Sequence, residues 1–211
     1  QENIRINILN IDGVGQKGWD KIYTGILSDL TRKIFNSKDD PLKLYIPNYS
    51  GDGCMARAAI ISDYFKKNGF DMSKAAYINF KNMQLNDYNG REINSAYSRT
   101  GAPPRFSWSF HVAASTTIGG QTYVIDYISN PTSKLLTDLE WRSMHKNPSL
   151  TPVSNNGNTP LPEFYYVNPI PNVAGVFSTS AYPFRFEYTS YLDFSRKFLD
   201  EYKKYMDNQR R

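Results

Sequence analysis

Residues 108–126 read Trp108-Ser109-Phe110-His111-Val112-Ala113-Ala114-Ser115-Thr116-Thr117-Ile118-Gly119-Gly120-Gln121-Thr122-Tyr123-Val124-Ile125-Asp126, two β-prone runs broken by a glycine pair. Adjacent glycines supply the positive φ angles of a two-residue hairpin turn. The reading is therefore an antiparallel hairpin with strands over 106–117 and 121–128. Such a turn pairs Ile118 with Gln121, and counting outward places Asp126 opposite Ala113. Strand side chains alternate with period two, so Ala113 and His111 share a face. Asp126 joins that face one diagonal step from His111, roughly 7–8 Å away and within reach of an imidazole and a carboxylate. Ser107, Ser109, His111 and Ala113 make this face small and polar. Trp108, Phe110 and Val112 are expected to point the other way, into the core, with Trp108 as packing.

Upstream stands the chain's single cysteine, in Asp52-Gly53-Cys54-Met55-Ala56-Arg57-Ala58. A helix is predicted over 53–67, capped by Asp52, stopped by Asn68-Gly69, and buried through Ala58, Ile61, Tyr64 and Phe65. A lone cysteine is ordinarily a small buried hydrophobe, and a lone histidine is usually structural or exposed. Here the thiol falls at a helix N-terminus, where unsatisfied N–H groups and partial positive charge favour a thiolate. Thiol, imidazole and carboxylate together are the parts of a cysteine nucleophile (Cys54), its base (His111) and an orienting acid (Asp126). The Cys54 backbone N–H can donate to an oxyanion, and Gly53 leaves room for a close approach of substrate. Asn48 and Tyr49, in the polar loop leading to Cys54, and Ser109, on the His111 face, are candidates for substrate contact.

The remaining elements are read outward from these two. Trp19, Ile22, Tyr23, Ile26, Leu30 and Ile34 recur at helical spacing, giving about five turns. A strand is predicted over 75–80, and a polar loop over 84–105. A short helix over 137–144 opens with a capping box, Thr137 and Glu140. His145, in the polar stretch beyond it, reads as a surface residue. Residues 148–175 are rich in Pro, Asn and Gly around a strand at 164–167. A strand over 184–188 and a helix over 191–206 follow. With 211 residues the chain suits one catalytic domain over 1–211. Residues 1–43 would be an N-terminal strand and helix, 44–145 the motif-bearing core, and 146–211 an irregular segment, a strand and a terminal helix.

The net charge is +5, and the basic excess collects between Arg196 and Arg211. No basic stripe interleaves with aromatics, so no nucleic-acid partner is expected. No apolar run is long enough to span a membrane. One cysteine excludes an intramolecular disulfide and a multi-cysteine zinc site, and two histidines with one cysteine offer no evident metal cluster. No metal and no organic cofactor is expected. The start at Gln1 rather than Met reads as a processed or trimmed chain.

These segments resemble the bacterial protein-glutaminase family, the protein-glutamine deamidases. That family shows an Asp-Gly-Cys-aromatic-Ala-Arg-Ala helix start, a Trp-Ser-Tyr-His-Val-Ala strand, an Ile-Asp strand and a Thr-Asp-x-x-Trp-Arg segment. Here they stand as residues 52–58, residues 108–113, Ile125-Asp126, and Thr137-Asp138-Leu139-Glu140-Trp141-Arg142. Order and spacing agree over roughly residues 44–145. The resemblance implies an α+β, papain/transglutaminase-like fold, with Cys54 at the start of a central helix packed on an antiparallel sheet that carries His111 and Asp126. It also implies hydrolysis of the side-chain amide of protein-bound glutamine through a Cys54 thioester, protein or peptide substrates, and a secreted or periplasmic enzyme. The triad alone leaves a papain-like peptidase, a transglutaminase and a non-catalytic binding module open.

Overall fold

The computed structural model describes residues 15–36, 42, 53–79, 83–84, 110–126, 134–145, 151–152, 163–172, 175–178 and 184–209. In chain order the elements are α1 (Gln16–Phe35), α2 (Cys54–Lys67), β1 (Lys74–Asn79), β2 (Met83–Gln84), β3 (Phe110–Ile118), β4 (Gln121–Ile125), β5 (Leu136–Thr137), α3 (Asp138–Met144), β6 (Thr151–Pro152), β7 (Glu163–Val167), β8 (Gly175–Ser178), β9 (Arg185–Tyr188) and α4 (Tyr191–Gln209). The centre is a five-stranded sheet in the order β5-β4-β3-β1-β7, antiparallel at every pairing. The fold is thus α+β. Two-stranded pairs β2-β6 and β8-β9 accompany the sheet.

The glycine pair sets the hairpin as its sequence demands. Gly119 and Gly120 have φ of 57° and 81°, the signs of a type I′ turn. Ile118 pairs with Gln121 and Ala114 with Ile125, which continues to Asp126 opposite Ala113. A side chain at Gly119 would collide with Asp20 of α1, so the turn is also where α1 meets the sheet. At the other edge, the predicted 164–167 strand is β7, which lies beside β1 rather than in an irregular surface segment.

Both faces of the sheet are covered, which changes the meaning of the strand pattern. Val112 pairs with Tyr77, and its face packs against Ala58 of α2 together with Ala75. His111 pairs with Ile78, which pairs in turn with Phe164, and Trp141 of α3 lies against that opposite face, 6.0 Å from the Phe164 ring. The His111 face is therefore an interior, and His111 is only 1% exposed. Phe110, expected in the core, is 37% exposed instead and stacks on Tyr77, beside Tyr165. Trp108, Ser107 and Asp52 lie outside the described residues.

The helices follow their sequences with two corrections. In α1 the buried row is Trp19, Leu27, Thr31, Ile34 and Phe35, whereas Ile22 and Ile26 face outward. The i+4 row from Trp19 through Tyr23 to Leu27 is the one that meets the body, and Ile22 and Ile26 sit about 100° away on the flank. At the α2 start the N-cap is Gly53, with φ 83° and no side-chain capping bond. A Cβ there would stand 2.9 Å from Leu199 and 3.3 Å from Phe198. The space left by Gly53 is thus filled by α4, not held for substrate. α4 buries Phe194, Phe198, Leu199 and Tyr202 and packs on α2. α2 ends at Asn68 with Gly69 at φ 101°, the expected left-handed stop. The fully buried Leu27, Phe65 and Trp141 anchor this core, each contributing several kcal/mol, about 2–5, if truncated to Ala.

Candidate active site

Three elements deliver three side chains to one place. Cys54 is the first residue of α2 and is half-buried. His111 is near the start of β3, and Asp126 directly follows β4. The imidazole Nε2 and the Asp126 carboxylate Oδ2 are 2.7 Å apart, both groups buried. With Nε2 given to Asp126, Nδ1 is the nitrogen that can serve the thiol. Cys54 lines the same crevice as His111 and Asp126, and its charge helps to raise the imidazole pKa. The three residues singled out from sequence are thus brought together. Asn48, Tyr49 and Ser109 lie outside the described residues.

Burial is the largest influence on His111 and by itself opposes a charge there. The Asp126 charge and hydrogen bond, aided by Cys54, outweigh it, and the imidazole pKa is pushed up to about 10. The upward direction favours the charged ring, with Nε2–H donating to Asp126. Two neutral phenols feel the charge of the thiol. Tyr77 is pushed up to about 12 by burial, then by Tyr165 and by Cys54. Tyr191, at the start of α4, reaches about 12 through burial and then Cys54.

α3 supplies what sequence reading missed. The Trp141 indole N–H donates to the same Asp126 Oδ2 at 2.7 Å. His145 is fully buried rather than at the surface, because the end of α3 turns it under Trp141, their rings 4.6 Å apart. Its Nδ1 donates to the Trp141 carbonyl at 2.8 Å. Burial first, and the His111 charge second, lower its pKa to about 4, so it is neutral and its Nε2 carries no proton. The one available signal was the position of His145, four residues after Trp141 at the end of a short capped helix. The capping box forms as read: Glu140 N–H to Thr137 Oγ1 at 3.2 Å and Thr137 N–H to Glu140 Oε2 at 2.8 Å.

The expectation that the two histidines form no metal cluster is corrected in one respect. His111, Asp126 and His145 offer ligand atoms within 4.8 Å of one another. However, His111 Nε2 and Asp126 Oδ2 already face each other at 2.7 Å, so an ion between them would have to replace that hydrogen bond. A larger cavity of about 350 Å³ lies along the far end of α2 beside α4, lined by Asp63, Tyr64, Lys67, Arg196 and Asp200. Asp63 there is paired with Lys67 at 2.8 Å and Arg196 at 3.5 Å. Among its described lining residues there is neither cysteine nor histidine, whereas the smaller crevice holds Cys54, His111 and Asp126 together.

A family model described as Glutaminase matches residues 31–145, more than half of the chain, starting N-terminal of residue 44 and ending on His145. Among solved structures, the chain is similar to the A47Q2 mutant of pro-protein-glutaminase, with a TM-score of 0.52 and 18% identity, over 85% of this chain and 57% of that one. It is similar to pro-protein-glutaminase with a TM-score of 0.51 and 17% identity, over 86% and 57%. A protein-glutaminase structure aligns at a TM-score of 0.46 and 17% identity, over 82% and 85%. The first two of these likenesses speak for the fold, and the chain spans little more than half the length of the pro-protein-glutaminase chains it matches. No curated protein matches the sequence.

Proposed function

The chain belongs to the glutaminase family, and from that premise we propose that it is a protein-glutamine deamidase working through Cys54, His111 and Asp126. The observation that carries the reading is the buried His111–Asp126 pair at 2.7 Å beside a thiol at the start of α2, all inside the matched stretch. We read the arrangement, a cysteine helix against an antiparallel sheet, as papain- and transglutaminase-like.

The Cys54 sulfur, its proton held on His111, attacks the side-chain carboxamide carbon of a glutamine. The oxygen takes up the negative charge, and the Cys54 backbone N–H, which has no intrahelical partner at the first position of the helix, donates to it. His111 hands its proton to the departing nitrogen, and the C–N bond breaks to release ammonia and leave a thioester. Water then attacks, giving its proton to His111 Nδ1. The collapse frees glutamate and returns the thiolate–imidazolium pair. Asp126 keeps the imidazole oriented and offsets its charge throughout. Protein substrates are expected, as the pro-protein-glutaminase likeness supports. We also place the enzyme in the secreted or periplasmic fraction; recovery from the cytosol alone overturns that placement.

Mass spectrometry of a glutamine-rich protein after incubation tests the reading. The expected product is intact chain in which glutamine has become glutamate, with matching ammonia release, and neither with Cys54→Ala or Cys54→Ser. Cys54 is half-buried and packs at the edge of the small Ala58–Ala75–Val112 cluster, where alanine or serine loses little contact, so both variants are expected to keep the fold. Chain fragments would mark a peptidase, and lysine crosslinks a transglutaminase. Undiminished ammonia release after iodoacetamide treatment would sink the thiol mechanism.

A further inference from the structure

Resting on the deamidase reading, we propose that Trp141, locked by His145, is a positioning residue for the catalytic pair: its indole N–H pins the one carboxylate oxygen that also faces His111, and so fixes where the imidazole sits relative to Cys54. Asp126 Oδ2 accepts from Trp141 Nε1 and from His111 Nε2, each at 2.7 Å. Two donors converging on one oxygen leave the carboxylate little freedom to rotate. Without the indole, Asp126 has a second way to turn, and His111 follows it.

The indole is fixed in turn from below. Trp141 is fully buried, with its ring 5.9 Å from His111 and 6.0 Å from Phe164. Its backbone carbonyl is held by His145 Nδ1 at 2.8 Å, and the His145 ring packs 4.6 Å from the indole and 5.6 Å from His111. A neutral His145 suits this place, since a second cation would repel the His111 imidazolium. Among the described residues, the charged and titratable groups facing His111 include Cys54 and Arg57 from α2, Asp126 after β4, and His145 at the end of α3. A buried tryptophan needs a partner for its N–H, but any carbonyl would satisfy that need. The choice of the oxygen shared with His111 gives the contact its consequence.

The test compares Trp141→Phe, His145→Ala and His145→Asn in the full chain, by two readouts. Ammonia release gives kcat and KM, and the pH dependence of alkylation by iodoacetamide reports the thiol–imidazole pair without any substrate. Trp141→Phe keeps an aromatic ring but deletes the N–H together with the pyrrole part of a fully buried indole, so the pH profile of alkylation and the His145 variants separate lost positioning from lost packing. Trp141→Phe is expected to lower kcat by roughly 10- to 100-fold with KM within about twofold, the signature of an interaction that matters in the transition state. The alkylation midpoint should move up by about half a pH unit or more as the thiolate loses a well-placed imidazolium. His145→Ala should follow Trp141→Phe, and His145→Asn, whose amide N–H can stand in for Nδ1–H, should recover most of the loss. Wild-type kcat and an unmoved alkylation midpoint in Trp141→Phe would overturn the proposal. So would a kcat loss without any midpoint shift, or a KM rise alone, each of which marks a purely structural contact. Should His145→Ala not fold, Trp141→Phe and His145→Asn still decide it. If the wild-type chain releases no ammonia, the deamidase reading fails, while the alkylation midpoints still judge Trp141.

Discussion

Replacing Asp126 by asparagine keeps its shape and removes its charge, which isolates what the carboxylate does for His111. The side chain is 5% exposed, so water cannot make good the loss. Even if the amide oxygen takes the place of Oδ2 and keeps both N–H donors, the Asp126 charge, the main offset to burying an imidazolium, is gone and only the smaller effect of Cys54 remains. The His111 pKa should fall from about 10 to the ordinary 6.5 or below. That drop of three to four units corresponds to at most about 5 kcal/mol at 1.36 kcal/mol per unit. If half of it is felt in the transition state, the barrier rises by about 2.5 kcal/mol and kcat/KM falls roughly 50- to 100-fold. Stability carries the same signature. A histidine whose folded pKa is raised stabilises the fold fully below pH ~6.5 and loses that contribution as pH climbs through the folded value. The wild-type protein should therefore weaken between pH ~6.5 and ~10 more than Asp126→Asn does. The assays are ammonia release at neutral pH, nitrogen NMR of the His111 ring, and denaturant melts across pH. Activity within threefold of wild type in a folded Asp126→Asn protein, or a His111 ring still charged at pH 8 in that variant, would refute the reasoning.

Three further outcomes are expected. Gly53→Ala forces a positive φ of 83° on a residue with a side chain and drives its Cβ to 2.9 Å from Leu199; it should cost about 1–3 kcal/mol in a denaturant melt and reduce activity by moving Cys54, and an unchanged midpoint would contradict this. His145 has the opposite pH behaviour to His111: its folded pKa is depressed to about 4, so the wild-type fold loses stability as pH falls from ~6.5 toward 4, and His145→Asn should fall less over that window. Ammonia release should withstand a strong chelator, since nucleophile, base and orienter are all side chains of this chain; complete inhibition reversed by added metal would show instead that the His111–Asp126–His145 cluster holds a working ion.

What could be read from sequence is what the chain specifies locally. Gly119-Gly120 fixes the hairpin turn, the turn fixes the register, and period-two alternation then carries Asp126 to the His111 face without any tertiary information. Thr137 and Glu140 announce the start of α3 by the same short-range logic, and Asn68-Gly69 the end of α2. Burial could not be read so, because it depends on what docks from elsewhere in the chain. The polar-looking face of β3 became an interior once α3 closed over it, and Phe110, apolar and expected inside, was left 37% exposed at the strand's end. Ile22 and Ile26 fit a helical stripe as well as Leu27 does, yet only the docking direction of α1 chose among them. The same holds for His145. Its polar neighbours spoke for solvent, but the end of α3 tucks it beneath Trp141, and that single packing decision sets a second imidazole beside the first. Sequence specified the strand register that pairs His111 with Asp126; the docking of α3 on that sheet alone decided that Trp141 and His145 would hold them, because a helix's own periodicity does not say which surface it will meet.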